Sequence, residues 1–261
     1  MPATLPHHVI LIAIGSSGDV HPFIGLGLAL QRRGHRVTVA TNDHFAPLVA
    51  HAGLAFASLG TVEEFKAALN NPDVWHPARG LKTMVDQGLG ELVGRVYDLL
   101  AAQLAADAAT GGALRTVAAG TLLALGARIA QERLGLPYAS VGFAPAVIRS
   151  TVEPPRLPYL PWLRHAPMAV RTSVLWLLDA LVADPLLAPP VNAVRARVGL
   201  PPVRGIVGHW WYSPQLNLGL WPATFGALPT DAPAHSVLAG FALWDEAADA
   251  PLPRTTASLN T

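Results

Sequence analysis

The chain has 261 residues, with eighteen basic and seventeen acidic side chains and no cysteine. That length suits one large domain or two small ones, and it needs no disulfide or metal staple to hold a core. The missing cysteine excludes a disulfide scaffold, a thiolate zinc site and a cysteine nucleophile, and the balanced charge excludes an overall basic field for nucleic acid. Charged residues make up only 13% and hydrophobic residues 51%. A chain of that composition folds, and it leaves apolar surface to meet a further domain, a lipid or an apolar substrate.

Read in chain order, strands and helices alternate. His8 to Ile14 is a continuous apolar, β-branched run, as expected for a strand buried on both faces. No basic segment precedes it, so it reads as a first strand and not as a signal sequence. Gly15 to Gly18 breaks the run. Phe23 to Arg33 is the first helix, with Pro22 suited to its first turn and Gly34 to its cap. Arg36 to Ala40 is a second strand, His44 to His51 a helix and Ala55 to Leu59 a third strand. Leu81 to Ala108 reads as helical, with a kink near Gly88-Leu89-Gly90. A strand over Leu114 to Ala118, a helix over Leu122 to Leu134 closed by Gly135, and a strand over Pro137 to Gly142 repeat the pattern.

The segment from Ala144 to Pro167 holds six prolines, so it is a functional or mobile connection. Helices over Met168 to Val182 and Pro190 to Val198 follow. Short strands near Leu216 to Leu220 and Val237 to Phe241 complete the set. The uncharged stretch 205–230 contains His209, Ser213, Pro214, Gln215, Asn217 and Pro222 and does not read as a membrane helix. The tail from Asp245 to Thr261 is rich in Ala, Pro and Thr and reads as a linker. The βαβ order predicts an α/β fold: a mostly parallel Rossmann-like sheet of about seven strands with helices on both faces.

The most informative segment is Gly15-Ser16-Ser17-Gly18-Asp19-Val20-His21-Pro22. It joins the carboxyl end of a strand to a helix start, where open α/β sheets place ligands. A dinucleotide fingerprint needs G-x-G-x-x-G. Here the spacing is G-x-x-G, and Asp19 would repel a pyrophosphate. The turn suits a neutral hydroxylic ligand, with Ser16, Ser17 and Gly18 around it and a carboxylate ready to accept a proton. A plain tight turn, with Asp19 stabilising the loop, would need the same residues. His21 can be a base or a helix cap. Tyr159, Trp162, Trp210 and Trp211 can wall an apolar pocket or pack in the core. The histidines form no metal-ligand spacing.

The stretch VILIAIGSSGDVHPFIGLGLALQRRGHRVTVAT resembles the N-terminal domain of family 28 glycosyltransferases. LALGARIAQERLGLPYASV, NAVRARVGLPPV and SPQLNLGLWPATF are similar to the same family, and especially to the rhamnosyltransferase chain of rhamnolipid synthesis. The resemblance runs from His8 to about Asp245. It implies half of a two-domain GT-B architecture: an acceptor-binding domain over 1–244, a linker or truncated tail over 245–261, and a donor-binding C-terminal domain absent from the chain. It also implies inverting transfer of a hexosyl group, rhamnosyl among the candidates, from a nucleotide sugar to a hydroxyl of a lipid or natural product. Asp19 would be the general base, with His21 its rival. Asp19, placed at a helix start, is expected to stay ionised and to be an intrinsically weak base.

No cofactor is expected beyond the nucleotide-sugar co-substrate. The partners expected are an apolar acceptor and the donor domain, with no nucleic acid. Peripheral membrane contact, self-association and a cytoplasmic location at or near the inner membrane are further expectations. The chain alone is expected to lack transferase activity. The alternative is a stand-alone, non-catalytic α/β domain that holds an apolar ligand or partner.

Overall fold

The computed structural model describes residues 5–109 and 114–245. Seven strands form one parallel sheet in the order β3-β2-β1-β4-β5-β6-β7. They are β1 (His7–Ile12), β2 (Arg36–Asn42), β3 (Ala55–Gly60), β4 (Arg115–Thr121), β5 (Tyr138–Gly142), β6 (Leu216–Gly219) and β7 (Ser236–Leu238). The predicted α/β sheet of about seven strands is therefore what the chain forms. β1 is central, with Ile12 registered against Ala40 on one side and Gly120 on the other. The chain runs outward through β2 and β3, then returns to the other side of β1 to build β4 to β7. The carboxyl end of β1 is thus a topological switch point, where two adjacent connections leave in opposite directions and open a crevice.

The continuous apolar run of β1 follows from burial on both faces. Side chains alternate along a strand. Ile10 and Ile12 enter one core, beneath α5 (Gly90–Ala109), α6 (Leu125–Leu134) and α8 (Asp184–Arg197). Val9 and Leu11 enter the other, beneath α1 (Ser17–Gln31) and α2 (Ala46–His51). Gly135 closes α6 in the left-handed conformation at φ +67°, as its position predicts.

Three features correct the sequence reading. First, α1 starts at Ser17, six residues before Phe23, which places Pro22 in the second turn. Ser16 and Asp19 form a capping box that nucleates the helix early, and Pro22 withholds the N–H that would bond the Gly18 carbonyl. Second, a helix α3 (Val62–Asn70) stands in a stretch to which the sequence reading assigns no element; its own capping box pairs Thr61 with Glu64. Third, the two helices expected over 168–198 are one continuous 30-residue helix, Met168–Arg197. α7 (Met168–Leu178) joins α8 through a wider π-type turn at Asp179–Ala183.

By length and composition, that joined helix is the described segment that would suit a membrane span, and the sequence reading did not pick it out. In the fold it packs through Leu175, Ala183, Leu187, Val191 and Val194, and it exposes Trp176, Leu177 and Leu181. Of the expected tail over 245–261, residues 246–261 lie outside the described residues.

Candidate active site

Asp19 sits just past the carboxyl end of β1, in the first turn of α1. Its Oδ2 accepts a hydrogen bond from the Ser16 backbone N–H at 2.8 Å and one from the Ser16 hydroxyl at 3.3 Å. The turn is shaped around this carboxylate. Gly15 adopts φ +143°, and a Cβ there would lie 2.0 Å from Asp19 Oδ2. Only glycine allows both the backbone angle and the close approach.

Burial pushes the Asp19 carboxyl above its ordinary range, against the two hydrogen bonds from Ser16, which pull the other way. The helix start leads to the expectation of an ionised but intrinsically weak base; burial works against the second half of that expectation. Loss of water around the half-buried side chain outweighs the helix start and its donors. A raised carboxyl is the better proton acceptor once it is ionised.

Two cavities meet at this residue. The first, of about 350 Å³, lies over the ends of β1 to β3. Its walls come from α3, from the short helical turn Pro72–Trp75, and from a helix break between α4 (Gly80–Met84) and α5. Leu59, Phe65, Leu69, Trp75, Met84 and Leu92 make it largely apolar. Its rim is stiffened by a two-bond ion pair: Arg95 donates to both oxygens of Glu64 at 2.8 Å each, and Glu64 also accepts from the Thr61 backbone N–H at 2.9 Å. Together these donors, Arg95 first, pull the Glu64 carboxyl down to about 2.

The second cavity, of about 400 Å³, lies on the other side, over β1, β4 and β5. Phe143, Val147, Ile148, Pro155, Val207 and Trp211 line it. Irregular backbone forms this wall, and polar anchors hold it. Arg149 bonds Asp179 at 2.7 Å, while Ser150, Thr151 and Val152 all donate to Asp231. Ile14, Asp19 and Leu123 belong to both cavities.

The other expected site residues divide. Ser16 lines the first cavity and Trp211 the second. Ser17 and Gly18 face solvent in the first turn of α1 and line neither. Trp210 is buried in the core: its indole N–H donates to Glu132 at 2.9 Å, and Arg128 and Arg195 lie over its ring. Tyr159 and Trp162 are exposed and line neither cavity.

His21 neither caps α1, whose N-cap is Ser16, nor lines either of these two cavities. Two helical steps turn it about 200° from Asp19, and its ring meets Trp244 edge-on at 5.4 Å. Sequence reasoning missed Glu64, Gln87, Arg95 and Arg149. Only Glu64 carried a readable signal, the Thr61-x-x-Glu64 capping pattern.

Residues 9–152 match the glycosyltransferase family 28 N-terminal domain. The chain is 28% identical over 233 residues to glycosyltransferase GtfE of Amycolatopsis orientalis, covering 86% of this chain and 53% of that one. Over a shorter stretch of 68 residues it is 43% identical to a sterol 3-beta-glucosyltransferase of Pichia angusta, which is 26% of this chain and 5% of that protein. Among solved structures, the glycosyltransferase of kitacinnamycin superposes with a TM-score of 0.59 at 19% identity, over 96% of this chain and 56% of that one. The chain spans about half the length of the curated relative GtfE. The shared fold is the Rossmann-like half of a GT-B glycosyltransferase, and by the match over 9–152 the chain belongs to glycosyltransferase family 28.

Proposed function

We propose that this chain is the acceptor-binding half of an inverting, nucleotide-sugar-dependent glycosyltransferase, with Asp19 as its general base. The observation that carries the reading is the position of one carboxylate on the common wall of two apolar cavities, at the switch point of the sheet. An acceptor hydroxyl presented from either cavity meets Asp19. Its oxygen attacks the anomeric carbon, its proton passes to the Asp19 carboxylate, and the nucleoside diphosphate leaves. The raised carboxyl supports proton acceptance, and its fixed place in the capping box supplies orientation.

In this reading residues 1–244 bind the acceptor and 245 onward lead toward a second domain. That domain holds the nucleotide sugar, and no other cofactor takes part. The acceptor is a lipid or natural product with a mostly apolar body, supported by the cavity linings and by the sterol glucosyltransferase among the relatives. The sugar is a hexosyl group, with rhamnosyl proposed on the motif resemblance. The exposed Trp176, Leu177 and Leu181 support contact with an apolar surface such as a membrane.

The test is a transfer assay in an enzyme that joins this domain to its donor domain, using a hydroxyacyl lipid acceptor and a nucleotide sugar. The reading expects a glycoside of inverted anomeric configuration, read by NMR. A retained configuration would remove the single-displacement role of Asp19. Acceptor binding without transfer from any nucleotide sugar would favour the non-catalytic alternative.

A further inference from the structure

Two cavities flank the end of one strand. The first, of about 350 Å³, lies on the β2–β3 side of β1, and the second, of about 400 Å³, on the β4–β5 side. Ile14, Asp19 and Leu123 belong to the lining of both, so the two spaces join over these residues. Of the three, Asp19 alone has a polar side chain. The other charged side chains of the linings pair with opposite charges: Glu64 with Arg95 in the first cavity, and Arg149 with Asp179 in the second. Asp19 takes its hydrogen bonds from Ser16 and has no cationic partner among the described residues. An uncompensated carboxylate therefore stands at the junction, with a largely apolar space to either side.

Apolar walls favour a ligand in proportion to the apolar surface it removes from water, and a few polar groups fix its orientation. A ligand whose hydroxyl ends an apolar chain fills one cavity when that hydroxyl reaches Asp19, and it leaves the other wet. A ligand whose hydroxyl stands within the chain fills both. Resting on the acceptor-site reading above, we propose that one acceptor occupies both cavities at once and reacts through an internal hydroxyl. The substrate class is then a secondary alcohol with an apolar limb on each side of the carbinol carbon. The limbs lie on opposite sides of β1, and the hydroxyl meets Asp19 between them. The class is narrower than an apolar alcohol. A terminal alcohol of the same size, held at the same carboxylate, gains burial from one cavity only and is selected against.

The probes are nonan-5-ol, which carries four carbons on each side of its hydroxyl, and nonan-1-ol, of the same formula with the hydroxyl at one end. Both are titrated into this chain and followed by NMR and calorimetry. Nonan-5-ol binds as one molecule per chain and moves the signals of Phe65 and Val207, one from each cavity, along a single binding curve. No single molecule of nonan-1-ol moves both. Ala68→Trp narrows the first cavity from a half-buried position, and Ala146→Trp the second from an exposed one. Each weakens nonan-5-ol about tenfold, as when about two methylenes lose their burial. The wild-type titration stands whether or not the variants fold. Shifts confined to one cavity, two nonan-5-ol molecules per chain, or a single nonan-1-ol molecule that moves both signals overturns the two-limbed acceptor and leaves the acceptor site standing. Loss of nonan-5-ol affinity in only one of two folded variants does the same. Binding of neither alcohol to the wild-type chain removes the acceptor-site reading itself, and this inference with it.

Discussion

The two cavities beside Asp19 are built differently. The first is walled by helices and strand ends, with a Glu64–Arg95 pair fixing its rim. The second is walled by the irregular segment around 143–155 and by Trp211, and it depends on a few polar anchors, Arg149 to Asp179 and the Ser150 hydroxyl and the Thr151 and Val152 backbone to Asp231. They share the end of β1 and the carboxylate on it. The contrast separates a constant reaction point from two variable walls. A loop wall can change shape at little cost to the core, whereas a wall of packed helices changes only with the fold.

Gly15→Ala attacks what the two cavities share, so its effect is the largest. The new Cβ collides with the Asp19 carboxylate and cannot adopt the φ of +143° without strain. Turnover in an enzyme containing this domain should fall by about the factor that a positioned base supplies, ~10²–10⁴, for acceptors of every shape. Steady-state kinetics check this, and loss confined to one acceptor class would break the claim of a shared reaction point.

Arg149→Ala probes the second wall alone. It strands the Asp179 carboxylate, whose pair with Arg149 is largely buried. Removing one partner of such a pair costs about 3 kcal/mol, visible in urea unfolding. Chemical shifts around Trp211 should change while those around Phe65 and Leu92 hold still. Equal disturbance on both sides would show that the walls are coupled.

Glu64→Gln probes the first wall and is the mildest change. The pair with Arg95 is partly exposed, so its loss belongs with the small effects of surface ion pairs. The clearer sign is in the pH dependence. The folded Glu64 carboxyl lies near 2 against an ordinary 4.5. A group depressed on folding stabilises above its unfolded value and loses that stabilisation as pH falls through the folded one. Wild type should therefore lose stability between about 4.5 and 2 that Glu64→Gln does not lose. Parallel melting curves for the two proteins across that window would contradict the assignment.

The same contrast explains what was legible in the sequence. β1, the Gly-rich turn and Asp19 could be read because each residue type there has one job: a doubly buried strand, a tight turn and a carboxylate at a helix start. The helix break at Gly88 was visible too, because glycine interrupts a helical pattern in a recognisable way. The second half was harder. Trp211 and Trp210 are neighbours in sequence, yet one lines a cavity and the other lies buried against two arginines; composition alone does not say which way an aromatic turns. Tyr159 and Trp162 resembled a pocket wall for the same reason. Helix α3 was missed although Thr61-x-x-Glu64 announces it, since its apolar face is spent on a cavity and no residue of it is fully buried. The loop anchors Arg149 and Asp231 join residues far apart in the chain, and no local pattern encodes them.

The central claim is that Asp19, and not His21, accepts the acceptor proton. The direct measurement compares turnover of Asp19→Asn and His21→Ala in an enzyme that carries this domain, with thermal melting beside the kinetics. Asn keeps an acceptor oxygen for the Ser16 N–H. The sign of the stability change also follows from the raised carboxyl: a group raised on folding stabilises below its unfolded value and loses that contribution as pH rises through the folded one. At neutral pH the Asn variant therefore melts no lower than wild type. Its turnover falls by ~10²–10⁴ with little change in acceptor affinity, while His21→Ala stays near wild type. Near-normal turnover in Asp19→Asn, with His21→Ala crippled, would contradict the account.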